Sequence, residues 1–89
     1  MEDGHIKIKK IDAAKNKYLM HIIENMDLKI TSNEVDIYLG NLLSYNLITE
    51  KEAKLLKVAT SDNVLNIVHN IKDELRANIF KNMLLNLVD

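Results

Sequence analysis

The chain has 89 residues, enough for one modest core and too few for two. Hydrophobic residues at 47 % against 28 % charged exclude a disordered segment. No Cys is present, which rules out disulfides and thiolate metal sites, and no Pro with only two Gly leaves little to break a helix.

Residues 1–10 read as a flexible lead-in and residues 11–89 as one helical interaction domain. The stretch His5-Ile6-Lys7-Ile8-Lys9 alternates like a strand, but no second strand candidate follows, so it reads as a tail. Asp12 is placed to cap a first helix over 12–26, with Ala14, Tyr18, Leu19, Ile22, Ile23 and Met26 inward. After a loop, Thr31 or Ser32 caps a second helix over 33–46, and Glu34 completes a capping box with Thr31. Val35, Leu39, Leu42 and Leu43 then recur at i, i+4, i+7 and i+8, one apolar stripe.

A compact Asn-Leu-Ile-Thr corner leads to Thr49, which with Glu52 forms a second capping box opening a helix over 50–58. Thr60, Ser61 and Asp62 stop that helix and are placed to cap the next. From Asn63 to Val88 the apolar pattern is continuous; read literally it is one helix of about 39 Å at 1.5 Å per residue. Three consecutive charges, Lys72-Asp73-Glu74, favour a break into helices over 61–71 and 74–88. The last of these is apolar nearly all round, as expected of a helix that is buried or covered by a partner. The expected core is Leu39, Leu42, Leu43, Ile48, Leu55, Leu56, Val64, Val68, Ile71, Phe80 and Leu84.

Motifs that carry chemistry are absent. His5, His21 and His69 have no second His or Cys at ligand spacing, so no zinc site is expected, and His21 reads as a part-buried structural residue. Asp62 reads as a helix cap. There is no phosphate loop, nucleophile elbow or calcium loop. The expectation is a non-enzyme with no catalytic residue, no cofactor, no metal and no small-molecule substrate. No run reaches the length of a membrane span and no apolar leader is present, so a cytoplasmic chain without a membrane partner is expected.

Charge is distributed unevenly. Residues 7–17 hold five Lys against Asp12, and residues 24–52 hold six acids against Lys29 and Lys51. Two solvated faces that merely differ account for this as well as a bipolar domain does. In the bipolar reading the basic face of one domain meets the acidic face of a neighbour, head to tail.

The runs Leu39 to Leu56, Thr60 to Val68 and Ala77 to Leu84 together resemble a caspase recruitment domain. The resemblance covers about half the chain and rests on the leucine pair, the short turn ending in Thr before acidic residues, and Phe80 in the last helix. It implies an all-α death-fold Greek key of five to six helices, an oligomerising adaptor for a signalling or defence complex. It implies homotypic pairing of a basic face (Lys9, Lys10, Lys15, Lys17, Lys72, Arg76) with an acidic face (Glu34, Asp36, Glu50, Glu52). The partner would be the chain itself or a like helical domain.

Two other classes compete. A helix-turn-helix regulator would read DNA with helices two and three, but those carry the acidic balance and no Arg for guanine, so no nucleic-acid partner is expected. A small phage, viral or bacterial protein that inhibits a host factor fits the size and the lack of chemistry.

Overall fold

The computed structural model describes residues 15–88. They contain four helices and no strand: α1 over residues 15–24, α2 Ser32–Ser44, α3 Glu50–Ala59 and α4 His69–Leu87. The all-α class holds, and four helices replace the expected five or six. The readings of residues 1–10, of Asp12 as a cap and of Ala14 as inward lie outside the described residues.

Local signals set α2 and α3. At each start a threonine hydroxyl accepts from the backbone three residues on, and the Glu there accepts from the threonine backbone N–H. The distances are 3.3 and 2.9 Å for Thr31–Glu34, and 3.1 and 2.7 Å for Thr49–Glu52. Ile30 and Val35, and likewise Ile48 and Ala53, occupy the staple positions flanking each cap, and all four are buried.

Between the helices, Asn46 adopts φ 57°, a left-handed conformation that Asn tolerates better than other side chains with a Cβ. Leu47 N–H then reaches back to the Leu42 carbonyl at 2.9 Å and Asn46 N–H to Leu43 at 3.0 Å. This is a Schellman closure, with the apolar pair Leu42 and Leu47 buried beneath it.

The core gathers one stripe from each helix: Leu19 and Ile23, then Val35, Leu39 and Leu42, then Ala53 and Leu56, then Ala77, Phe80 and Leu84. Tyr38 lays its ring against Phe80 at a centroid distance of 5.7 Å. Helices α3 and α4 run antiparallel: Thr60 at the end of α3 meets Arg76, whereas Glu52 near its start shares a cleft with Leu87 at the end of α4.

Two expectations are corrected here. Residues 61–68 form turns and bends in place of a helix, so Ser61 and Asp62 cap nothing, and α4 opens at Val68 with no side-chain cap. Nor does α4 break at its three charges, because each finds a different partner. Lys72 lies 3.5 Å from Asp62, Asp73 bonds Arg76, and Glu74 lies 3.8 Å from Lys29.

The core also differs from expectation. Leu43 is half-buried, while Leu55, Val64, Val68 and Ile71 are 56–69 % exposed. Tyr18, expected inward, is 39 % exposed and sits edge-on to the Tyr45 ring at 5.4 Å.

Candidate protein–protein interface

Arg76 is the most buried charge among the described residues, 1 % exposed. Its Nε donates to the Thr60 carbonyl at 2.9 Å, and its Nη1 donates to the Ile30 carbonyl at 3.1 Å and to Asp73 Oδ1 at 2.7 Å. Nη2 bonds Asp62. One guanidinium thus ties the α1–α2 loop, the end of α3, the α3–α4 turn and α4 together, a task that suits its fixed fork of donors. It does not belong to a basic surface. Asp62 is its partner, where the sequence suggested a cap.

The remaining candidate charges are dispersed. Lys9 and Lys10 lie outside the described residues. Lys15 is half-buried and lines a cleft with Leu43, Ile48 and Glu50, so a basic and an acidic candidate meet within one chain. Lys17 is exposed, and Lys72 is held by Asp62. Glu34 and Glu52 are engaged in their capping boxes, and Asp36 lies 3.6 Å from Lys57. Asp36, Glu50, Lys54 and Lys57 share the α2–α3 cleft, where both signs alternate. His21 is exposed beside Asn25, not part-buried, and His69 lies 3.7 Å from Asp73. Among the described residues, no group of three metal-binding side chains exists.

The feature that sequence reading missed is an apolar surface. On α4 the buried residues Arg76, Ala77, Phe80 and Leu84 mark the inner face. The opposite face carries Ile71, Leu75, Asn78, Asn82 and Leu85, all exposed, and Val68 precedes them in phase. Val68 is 69 % exposed, Ile71 57 %, Leu75 37 % and Leu85 38 %. At the side of this face nearest α3, Leu55 lines a cleft with Met83, Asn86 and Leu87, and Val58 stands exposed one turn along. Three exposed aliphatic side chains on one face of α4, with Val68 at its cap in the same phase, make this face the candidate site for another protein. The available signal was the apolar run of the last helix, which is equally consistent with burial inside the chain.

Comparison with known proteins gives this face a context. The family described as the CtsR C-terminal dimerization domain matches residues 14–85. The chain is similar to the transcriptional regulator CtsR of Staphylococcus haemolyticus (strain JCSC1435), 32 % identical over 85 residues, covering 91 % of this chain and 54 % of that protein. It is similar to the CtsR of Geobacillus stearothermophilus, 31 % identical, covering 94 % of this chain and 56 % of that protein. A crystal structure of CtsR in complex with a 26bp DNA duplex is similar with a TM-score of 0.78 and 28 % identity, covering 83 % of this chain and 49 % of that one. The chain spans about half the length of the curated relatives it matches.

These matches overturn the caspase-recruitment resemblance, with its death-fold Greek key, its signalling-adaptor role and its head-to-tail charged faces. The shared features, leucine pairs and threonine-capped turns, are general helix punctuation. The matches also correct the expectation of no nucleic-acid partner, since a similar structure is a complex with DNA. The relatives are regulators, and the domain is non-enzymatic.

Proposed function

The chain belongs to the CtsR C-terminal dimerization domain family, and on that premise we propose that it pairs with a second copy of itself and serves as the assembly module of a DNA-binding transcription regulator. The observation that carries the pairing is the outward aliphatic face of α4, which the core of the chain does not use. Burying it in a symmetric contact removes apolar area from water on both copies at once.

The regulator role is supported by the DNA complex of the similar structure. A two-fold dimer presents two copies of whatever DNA-reading unit is joined to it, which suits an operator of paired half-sites. Placing the reading helices at α2 and α3 is not supported: Glu34, Asp36, Glu50 and Glu52 would face phosphate there. A bacterial regulator of this kind works in the cytoplasm, and no helix among the described residues is long and apolar enough to cross a membrane.

The test is the mass of the chain in solution by sedimentation. The 10.2 kDa chain is expected to run as a dimer at micromolar concentration. The variant carrying Ile71→Glu and Leu75→Glu is expected to run as a folded monomer with unchanged helical circular dichroism. A monomeric parent, or a variant that still pairs, defeats the proposal.

A further inference from the structure

The outer face of α4 has a finer pattern that addresses how the two copies meet, and the following rests on the dimerisation reading above. Val68, Ile71, Leu75, Asn78, Asn82 and Leu85 are separated by alternating steps of three and four. That is the a and d seam of a two-helix coiled coil, here sustained from the cap of α4 nearly to its end. The opposite positions, Asp73, Phe80 and Leu87, face into the chain's own bundle. The helix therefore has two seams, and the inner one is already filled.

The outer seam is apolar at both ends and polar at Asn78 and Asn82. A parallel partner would stack Asn78 on Asn78 and Asn82 on Asn82. An antiparallel partner sets Leu75 against Asn78, Ile71 against Asn82 and Val68 against Leu85, so that each layer holds an aliphatic side chain.

Flanking charge separates the two arrangements. Glu74 and Lys81 lie along the same edge of the seam, one heptad apart. In a parallel pair, Glu74 faces Ile79 of the second copy and Lys81 faces Asn86, with no charge matched. In an antiparallel pair, edge meets like edge, and Glu74 falls beside Lys81 of the second copy on both sides of the axis. Among the described residues Glu74 lies 3.8 Å from Lys29, with both side chains more than half exposed. Such a solvated pair gives way readily.

We infer that two copies pair through antiparallel α4 helices, with the two-fold axis crossing between Leu75 and Asn78 and two Glu74–Lys81 ion pairs closing one edge.

Because the chain has no cysteine, disulfide trapping tests the geometry directly. Ile71→Cys and Asn82→Cys chains are prepared separately, oxidised alone, and oxidised after mixing. The antiparallel pairing predicts a cross-linked species only in the mixture. Within each single-variant dimer the two thiols would lie about 16 Å apart along the helix at 1.5 Å per residue, beyond disulfide reach. Cross-linking of Ile71→Cys with itself means a parallel pair and overturns the inference. No cross-link in chains that sediment as dimers overturns the seam while leaving dimerisation intact. Sedimentation of the parent as a monomer defeats the dimerisation reading itself.

Charge reversal supplies a second readout that needs no cysteine. Glu74→Lys and Lys81→Glu should each raise the dimer Kd roughly tenfold, since each places two like-charged contacts on one edge. An equimolar mixture of the two variants should pair about as tightly as the parent, because both contacts are again opposite in sign. Variants that pair unchanged, or a mixture that fails to recover, also overturn the antiparallel arrangement.

Discussion

Replacing Arg76 by Met tests whether the buried guanidinium holds the bundle together. Met matches its length and leaves little cavity, so lost polar contacts dominate the effect. The change strips the Ile30 and Thr60 carbonyls of a donor and leaves Asp73, whose side chain is 15 % exposed, without its nearest cation. Each buried group left unpaired costs about 1–3 kcal/mol. Relief of the guanidinium's own desolvation offsets part of that, so the net loss expected is about 3–5 kcal/mol, as for one partner removed from a buried pair. Arg76→Lys keeps the charge but not the fork and should cost about 2 kcal/mol. Asp62→Asn should cost under about 1 kcal/mol, because the Asp62 side chain is 54 % exposed and its pairing is screened. The assay is urea unfolding followed by helical circular dichroism at one fixed chain concentration, since pairing adds its own stability. A loss below about 1 kcal/mol for Arg76→Met, or equal losses for Met and Asn variants, would refute the hub.

Two further outcomes follow from the packing. Leu42, fully buried beneath the Schellman closure, should cost about 2–5 kcal/mol when cut to Ala, read by the same urea midpoint; a loss under about 1 kcal/mol would misplace the inner face of α2. Burial, with Asp27 and Glu34 adding repulsion, pushes the Tyr38 phenol above its ordinary value of 10.0. The native state therefore holds that proton longer than the unfolded chain. This stability is fully present below pH 10 and is lost as pH rises through the elevated value. Ultraviolet titration should show one tyrosine ionising late, and Tyr38→Phe should abolish that late phase. A late phase that survives in the variant would refute the assignment.

What the sequence disclosed was local. Thr31 with Glu34 and Thr49 with Glu52 lie three residues apart, and their boxes form as expected. The all-helical class followed from the same punctuation. What it hid depended on distance along the chain. Arg76 and Ile30 are 46 residues apart, and nothing at either position announces the other. The charges of Lys72-Asp73-Glu74 suggested a break because the partners of Lys72 and Glu74, Asp62 and Lys29, are set by tertiary placement, although Asp73 meets Arg76 three residues on within the helix. Leu55, Val68 and Ile71 were expected in the core because an aliphatic stripe left on the surface obeys the same helical period as one turned to the chain's own interior. The charges read as two faces are in part engaged locally: Arg76 is buried, Lys72 is held by Asp62, and Glu34 and Glu52 close capping boxes.

The chain meets all its needs for exposed positive charge with lysine and uses its one arginine in the interior. A dicarbonyl reagent selective for guanidinium groups therefore has a single target, sealed in the folded state and bared only when the loop at Ile30, the end of α3 and the body of α4 separate together. The rate of that one chemical modification becomes a clock for concerted opening of the domain, blind to fraying at helix ends and slowed by whatever pairing adds to stability.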